Sequence, residues 1–466
     1  MNPLEMSPAR FRVLADRISS LAEQWLVELD SRRIAPATTG AATEALFAEG
    51  LPEEGMKEAA LDALKPVMDG ARAGNARFLA YVFGSGEPVG VLGDYIASVI
   101  NQNVTAWRSG PTAVSMERAV VRSLARAVGC DGFSGSFTGG GSAANLMGLA
   151  MAREALAPAN EAGSPSGVVY ASSEVHLSIP KALALLGLGR KNLRLIPVDA
   201  EWRMRPEALE HAIAEDVAAG RRPLAVVATA GTVRTGAVDP LPVVSRMARA
   251  HGLWLHVDGA YGALAAMALP ERFEGLSLAD SLSLDAHKWL YQPADCGVLL
   301  FREAGAARRA FSFSDEYVSS LTADAVEGFA FFEESMELSR RARALKVWLS
   351  VRYHGLAAFR ESIRKDLENA RRLESRVRAS PVLELLAPAA LSAVCFRYTG
   401  KVLDVERDAF NARLLARVNA RGRAYLSNAT LHGRFALRAC FVNHRTTPED
   451  VDTMVAEVLA AAADLA

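Results

Sequence analysis

One lysine stands directly after an apolar run that has the character of a buried strand. The run ends with Leu284, and Asp285, His287 and Lys288 follow within four residues. A lysine held in a partly dry pocket has a lowered amine pKa, so its neutral amine becomes available to form an imine with an aldehyde. Lys288 is therefore a candidate nucleophile, and the alternative for this stretch alone is an ordinary surface lysine.

Two further polar residues follow apolar runs in the same way. Asp258 comes after the run 254–257, and His176 comes after the run 168–171. Ligands of open α/β sheets bind at the carboxyl ends of the strands, where both residues are expected. A carboxylate there can pair with a protonated pyridine nitrogen, and an imidazole can stack on a flat cofactor. Taken singly, Asp258 also fits a helix cap, and His176 a structural histidine.

A glycine-rich turn precedes an apolar helical pattern. The segment reads T-G-G-G-S-A-A-N-L from Thr138 to Leu146. Backbone N–H groups and the helix dipole at such a helix start face an anion, so a phosphate can bind there. The pattern is neither a Walker loop nor G-x-G-x-x-G, and glycine turns are common at helix starts. This segment alone allows either a phosphate site or a plain helix start.

Apolar periodicity predicts the elements that position these residues. Short apolar runs alternate with helical patterns at residues 167–171, 193–198, 224–229, 254–257, 281–284 and 297–301. Strands separated by helices predict a mainly parallel, doubly wound central sheet flanked by helices. We predict an amino-terminal helical segment and arm at 1–94, a large domain at 95–345, and a smaller carboxy-terminal α+β domain at 346–466 with strands at 391–398 and 435–441.

Composition restricts the kinds of partner. The 466 residues include 52 Lys and Arg against 53 Asp and Glu, which gives a formal net charge of -1. That balance offers no sustained positive field for nucleic acid or an anionic membrane. We find no run of about 18 apolar residues that would span a bilayer. The four cysteines lack the C-x-x-C spacing of a zinc site. We expect a cytoplasmic enzyme that binds a small molecule and no metal.

Five motifs occur in order along the chain. They read T-G-G-G-S-A-A-N-L, S-E-V-H, A-T-A-G-T, H-V-D-G-A-Y and D-A-H-K-W. In this order they resemble the group II pyridoxal-phosphate decarboxylases, the family of aromatic-L-amino-acid decarboxylase. The resemblance runs from about Phe78 to about Arg445. It implies the PLP-dependent, aspartate-aminotransferase-like (type I) fold, pyridoxal 5'-phosphate as cofactor, and a homodimer with its active site at the interface and its amino-terminal segment wrapped around the partner.

The resemblance also implies roles for individual residues. Lys288 is the Schiff-base lysine, Asp258 pairs with the pyridine nitrogen, and His176 stacks on the ring and helps to orient the substrate. The other cofactor-binding residues are Gly141 and Ser142 at the phosphate, together with Thr232, Ala260, Asp285 and His287. The family has Asn at the position of Asp285. An aspartate there either weakens phosphate binding or is neutralised by a neighbouring donor.

The resemblance implies decarboxylation of an L-amino acid, an aromatic one being favoured, to the amine and carbon dioxide. Family members protonate the α-carbon with help from a tyrosine on a mobile loop, and gapless counting back from L-S-R-R places Phe331 there. A phenyl ring offers no proton, so an oxygen-dependent reaction that releases an aldehyde is the alternative, and transamination or carbon–sulfur cleavage is a third.

A second departure from the family concerns the substrate pocket. The segment N-Q-N-V-T at residues 101–105 stands where relatives selective for aromatic substrates are apolar. Its amides either bind a polar substrate side chain or bind only backbone.

Overall fold

A computed structural model describes residues 2–163, 166–313 and 324–465. Its strands are β1 (Ser134–Thr138), β2 (Val168–Ser172), β3 (Leu193–Ile196), β4 (Pro223–Thr229), β5 (Trp254–Asp258), β6 (Ser281–Asp285), β7 (Gly297–Phe301), β8 (Leu383–Leu385), β9 (Ala393–Tyr398), β10 (Ser427–Leu431) and β11 (Arg434–Cys440). Its α-helices are α1 (Pro8–Glu28), α2 (Gly40–Ala45), α3 (Leu64–Asp69), α4 (Pro88–Ile100), α5 (Pro111–Ala127), α6 (Gly141–Leu156), α7 (Ser178–Leu185), α8 (Pro206–Ala218), α9 (Leu241–Ala250), α10 (Ala286–Trp289), α11 (Ala304–Phe311), α12 (Ala344–Ala379), α13 (Arg407–Arg421) and α14 (Pro448–Ala463).

The larger sheet has seven strands in the order β1-β7-β6-β5-β4-β2-β3. Strands β3, β2, β4, β5 and β6 pair in parallel, and β7 runs antiparallel to both of its neighbours, β6 and β1. The carboxyl ends of β2, β4, β5 and β6 therefore meet along one edge. Each of the six apolar runs in the sequence forms a strand of this sheet. The short, polar β1 was not predicted.

Both faces of the large sheet are buried, which explains its continuous apolar runs. Along β4, Val226 and Ala228 enter the core on one face, while Ala225 and Val227 enter the core on the other. Helix α6 packs against β5, β6 and β7, and α9 packs against β4 and β5. The turn before α6 is thereby held beside the carboxyl ends of the central strands.

The carboxy-terminal part forms a smaller α+β layer, as predicted. Its antiparallel sheet has the order β10-β11-β9-β8 and packs with α13, α14 and α12. Helix α12 is interrupted at Gly355, whose φ of 77° is left-handed and suits a residue without Cβ. The predicted boundaries at 94 and 345 fall inside α4 and α12, so continuous helices run across both positions.

The amino-terminal helices α1, α2 and α3 have no buried residue within the chain. Helix α1 begins after Ser7, whose side chain accepts from the backbone N–H of Arg10, and Pro8 occupies its first turn. Apolar residues of α1 and α4 stay exposed, among them Val27 at 78% and Leu92 at 60%. Within the described ranges, no helix combines the length and apolar character needed to cross a membrane.

Candidate active site

A cavity of about 340 Å³ lies at the carboxyl edge of the large sheet. The ends of β4, β5 and β6, the segment after β2 and the turn before α6 all contribute to its wall. The lining residues are Val82, Gly139, Gly140, Gly141, Ser142, Asn145, Glu174, His176, Thr229, Gly231, Val233, Asp258, Ala260, Tyr261, Asp285, His287 and Lys288. The cavity thus brings together all but two of the residues singled out from the sequence; Thr232 and Phe331 are the exceptions.

Lys288 lies on the one-turn helix α10, directly after β6. Its Nζ is 2.9 Å from Oδ2 of Asp285, and its side chain is 17% exposed. Nε2 of His287 lies 3.6 Å from the same oxygen. Burial is the main cause that lowers the pKa of His287, and the charge of Asp285 opposes it. Lys288 is therefore the neighbouring donor that neutralises Asp285 in this structure.

Asp285 also has a carboxylate oxygen that is not used. Its Oδ1 is buried and has no hydrogen-bond partner among the described residues. A buried acceptor without a partner is costly, so such an atom indicates a site that awaits a donor.

Asp258 ends β5 and is buried at the base of the cavity. Its Oδ2 accepts from Nδ2 of Asn145 at 3.0 Å, and its Oδ1 accepts from the Ser283 hydroxyl and the Ala260 N–H, both at 3.2 Å. Two carboxylate oxygens offer about four acceptor positions. Three are occupied, and one further donor can be accepted from the cavity.

His176 stands on the open side of the cavity, after β2. Its Nδ1 accepts from the backbone N–H of Ser178 at 3.2 Å and lies 2.8 Å from the Ser178 hydroxyl. Because a backbone N–H only donates, the proton of the neutral ring is on Nε2. Desolvation by the surrounding protein is the largest cause that lowers the pKa of His176, and Asp258 acts in the opposite direction.

The glycine turn before α6 is tightly packed against the strand ends. A Cβ on Gly141 would lie 2.6 Å from Cβ of Ala260 and 2.9 Å from Oδ2 of Asp285, so only glycine fits. Gly140 has a φ of 128°, which side chains rarely adopt. Within the described part of the chain, no side chain caps α6, and the N–H of Ala143 donates to the carbonyl of Gly140, so the N–H groups of Gly141 and Ser142 are the ones left for an anion.

Thr232, expected to bind the cofactor, does not line the cavity. Its hydroxyl lies 2.9 Å from that of Thr235 and accepts from the Ala237 N–H, so it closes its own loop. The neighbouring Gly231 and Val233 form that part of the wall instead.

Phe331, expected at the catalytic loop, is placed away from the cavity. It begins a short 3-10 helix, is fully buried, and packs in an apolar cluster with Val104 and Leu345. Cζ of Arg340 lies 4.3 Å from its ring centroid, and its N–H donates to Thr105. The ring is therefore a core side chain in this structure.

Two side chains of the N-Q-N segment hydrogen-bond to backbone. Oδ1 of Asn103 accepts from the Arg340 N–H at 2.9 Å, and Nε2 of Gln102 donates to the carbonyl of Ile100 at 3.0 Å. Both contacts agree with the alternative that these amides bind backbone rather than a substrate side chain.

Asn145 and Glu174 are two of the lining residues for which the sequence predicts no role. Asn145 belongs to the glycine motif and Glu174 to S-E-V-H. Oε1 of Glu174 accepts from Arg234 at 2.7 Å, and Oε2 is buried with no partner in the described ranges. Their motifs could have indicated that both line the cavity, because Asn145 lies three residues after Ser142 and Glu174 lies two residues before His176.

The sequence of the chain matches the family described as "Pyridoxal-dependent decarboxylase conserved domain" over residues 43–399. The chain belongs to this family. Its enzyme class is therefore that of a pyridoxal-phosphate amino-acid decarboxylase, with pyridoxal 5'-phosphate as its cofactor. The expected family, cofactor and enzyme class are confirmed.

Individual members of the family are similar along most of the chain. An aromatic-L-amino-acid decarboxylase of Bacillus atrophaeus is 36% identical over 394 residues, which cover 83% of this chain and 81% of the relative. A 4-hydroxyphenylacetaldehyde synthase of Rhodiola rosea is 33% identical over 392 residues, covering 81% and 79%. The Catharanthus roseus tryptophan decarboxylase, solved in complex with L-tryptophan, superposes with a TM-score of 0.90 at 27% identity and full coverage of both chains. The expected fold class is confirmed.

Proposed function

We propose that this decarboxylase converts an aromatic L-amino acid to the corresponding amine and carbon dioxide. The observation that carries the proposal is the single cavity that Lys288, Asp258, His176 and the Gly141 turn line together. These four features supply a nucleophilic amine, a carboxylate, an imidazole and an anion site, which are the parts that the cofactor and an amino acid require.

The residues of the cavity fit pyridoxal phosphate. The free N–H groups of Gly141 and Ser142 at the start of α6 suit its phosphate, and the absent Cβ of Gly141 lets this turn pack closely against Ala260 and Asp285. Asp258 has one acceptor position left, which suits a protonated ring nitrogen. Asp285 does not add to the phosphate site, because its Oδ1, about 4.0 Å from where a Cβ of Gly140 would be, is an acceptor; Lys288, 2.9 Å from Oδ2, offsets its charge.

When bound, pyridoxal phosphate supplies a ring that withdraws electrons from a breaking bond at the α-carbon of an amino acid. Lys288 must lose a proton before its amine can act as a nucleophile. Oδ2 of Asp285, 2.9 Å away, is positioned to accept that proton. His176, which lines the cavity, carries the proton of its neutral ring on Nε2, and burial lowers its pKa and so favours this neutral form.

An aromatic substrate side chain is supported by the segment at the mouth of the cavity. Val82 lines the cavity, and its neighbours Tyr81 and Phe83 are each 49% exposed. The centroid of the Phe83 ring lies 6.0 Å from that of the His287 ring. Gln102 and Asn103 each use one amide atom on backbone and do not line the cavity, so they offer a polar substrate side chain no site there.

Whether the product is the amine or the aldehyde depends on whether the catalytic loop supplies a side chain that can donate a proton. Because Phe331 is a buried core residue, we propose that it does not determine the product. Tyr317, which lies outside the described residues, is the one tyrosine between Tyr291 and Tyr353 in the sequence and is the residue to test. The similarity to an aldehyde synthase keeps oxygen-dependent decarboxylation as the second candidate.

The test supplies purified enzyme and pyridoxal phosphate with tryptophan, tyrosine, phenylalanine, glutamate and 2,4-diaminobutyrate. We expect equal amounts of carbon dioxide and amine from an aromatic substrate, without oxygen uptake. Tyr317→Phe should shift the product toward the aldehyde, with hydrogen peroxide and ammonia, because a proton donor is lost. Aldehyde from the wild type would favour the second candidate, and a keto acid without carbon dioxide would overturn both.

We further propose that two copies of the chain associate through the amino-terminal helices. A helix of 21 residues with no buried side chain is marginal alone in water. An apolar groove of about 830 Å³ runs between α1 and α4, lined by Trp25, Leu26, Val91 and Leu92 among others. A second copy covering this groove would bury these side chains and match the family expectation of a homodimer.

A further inference from the structure

A chain of buried hydrogen bonds connects the two residues that we expect to contact the cofactor ring. Asn145, on the first turns of α6, is 1% exposed, and both polar atoms of its amide are hydrogen-bonded. Its Nδ2 lies 3.0 Å from Oδ2 of Asp258 and 2.9 Å from the hydroxyl of Ser178. Its Oδ1 lies 2.9 Å from Nε2 of His256. Asn145 therefore joins two different elements, β5 through Asp258 and His256 and the start of α7 through Ser178.

The direction of each bond on the Asp258 side follows from the partners. The Asp258 carboxylate accepts, so Asn145 turns its NH2 toward Asp258 and its carbonyl oxygen toward His256. Nε2 of His256 must then donate, which makes Nδ1 the acceptor for the Ser281 hydroxyl at 2.8 Å. That hydroxyl can accept in turn from Nε1 of Trp254 at 2.9 Å, and an indole N–H only donates. The bonds run one way from Trp254 to Asp258.

The branch toward the histidine has the same fixed direction. The second N–H of Asn145 donates to the Ser178 hydroxyl, which leaves that hydroxyl to donate to Nδ1 of His176 at 2.8 Å. The backbone N–H of Ser178 enforces the same acceptor role on Nδ1. One amide thus sets the hydrogen-bond direction at both Asp258 and His176.

The packing around His256 keeps this arrangement in place. His256 is fully buried, and burial lowers its pKa to about 4, so the ring is neutral with one donor and one acceptor. Gly148 lies three residues after Asn145 on α6. A Cβ there would be 2.5 Å from Cε1 and Nδ1 of His256, so the glycine makes room for the ring.

We propose that Asn145 is a positioning residue that orients Asp258 and His176 together, and that His256 holds Asn145 in the required direction. The inference rests on the proposed roles of Asp258 and His176 at the cofactor ring. Its consequence is that damage at His256, which does not line the cavity, weakens cofactor binding through Asn145.

The test measures the dissociation constant of pyridoxal phosphate and the circular dichroism of the bound cofactor in the visible region. We expect Asn145→Ala to weaken binding by about tenfold or more, since it removes a hydrogen bond to a charged group, and to reduce the dichroic band. Gly148→Ala, which keeps every hydrogen-bonding group but displaces His256, should weaken binding by a smaller factor.

An isosteric variant adds a signature that loss of stability would not produce. Asn145→Asp places a second carboxylate against Asp258, with His256, His176 and Lys288 as the other titratable groups nearby. Two adjacent carboxylates share a proton at low pH, and the protonated one can donate as the amide does. Cofactor affinity of this variant should therefore rise on acidification more steeply than that of the wild type.

Asn411→Ala is the matched control. Asn411 is also fully buried and makes three hydrogen bonds, but these lie in the small domain between β9 and α13. It should lower the melting temperature without changing the dissociation constant or the dichroism. If Asn145→Ala does not fold, Asn145→Asp and Gly148→Ala decide the question.

Wild-type affinity and dichroism in Asn145→Asp and Gly148→Ala would overturn the proposal, as would equal losses in Asn411→Ala. Asp258→Asn separates this result from a failure of the proposed function. If that variant binds the cofactor as the wild type does, the role of Asp258 is wrong. If it binds weakly while the Asn145 variants bind normally, only the positioning role fails.

Discussion

The cavity at the carboxyl edge of the sheet and the amino-terminal helices differ in how far their side chains are buried and hydrogen-bonded within one chain. At the cavity, Asp258 and Asn145 are buried and hydrogen-bonded to residues of the same chain. No residue of α1, α2 or α3 is buried, and Val27 of α1 and Leu92 of α4 are exposed. The hydrogen bonds around Asp258 are thus made within one chain, whereas this amino-terminal surface leaves apolar side chains uncovered.

The largest expected effect is at Lys288. Lys288→Ala removes the lysine found in the cavity lining among the described residues, and activity should fall on the order of a thousandfold or more, because both a nucleophile and a proton carrier are lost. Association of the chains should not change, because Lys288 does not line the groove between α1 and α4. The control is Lys365→Ala, on the exposed side of α12. Activity near the wild-type value would remove Lys288 from the mechanism.

Next in size is the change at Asp258. Asp258→Asn keeps the shape but removes the charge that can face a ring nitrogen, and activity should fall about 100-fold or more. Steady-state rates at saturating cofactor measure this effect. Asp404→Asn, at a side chain that is 83% exposed, should leave the rate unchanged. An equal rate in the two variants would contradict the role given to Asp258.

The amino-terminal surface should respond through association rather than through the cavity. Leu92→Glu places a charge in the apolar groove, and burying it on dimerisation is costly. We expect at least about a tenfold fall in the association constant by analytical ultracentrifugation. Leu403→Glu is the control, because Leu403 is also exposed, at 68%, but lies in the small domain. A dimer unaffected by Leu92→Glu would show that the groove is not the interface.

The smallest expected effect on product is at Phe331. Phe331→Tyr puts a hydroxyl into an apolar cluster and should lower the free energy of unfolding by about 1–3 kcal/mol. The ratio of amine to aldehyde should not change, because the ring does not line the cavity. Phe47→Tyr, at an exposed ring of the amino-terminal region, should be neutral in both measurements. A changed product ratio in Phe331→Tyr would show that Phe331 does act in the catalytic loop.

The sequence predicts those parts of the molecule where a local pattern and a tertiary requirement coincide. A strand buried on both faces must be apolar throughout, so the six runs fall on β2 to β7 within two residues at each end. Polar residues after such strands must lie at one edge, which places Asp258 and Lys288 correctly in the same cavity. Strand β1, S-G-S-F-T, lacks an apolar run and has no such pattern.

The features that the sequence does not predict depend on contacts that local patterns in the chain do not reveal. Asn145 acquires its partners from the segments after β2 and within β5, so its role is visible only once α6 is packed against them. Thr232 lies in a motif that predicts cofactor binding, but its hydroxyl is hydrogen-bonded within its own loop. Phe331 was placed by counting without gaps, and a count along the sequence carries no information on whether a side chain enters the core.

The most direct test of the central claim is to identify the lysine that holds the cofactor. The holoenzyme is reduced with borohydride, which fixes the cofactor to its lysine, and the labelled peptide is mapped by mass spectrometry. We expect one label, on Lys288, and no label in Lys288→Ala. A label on another lysine of the wild type, such as the buried Lys346, would contradict it.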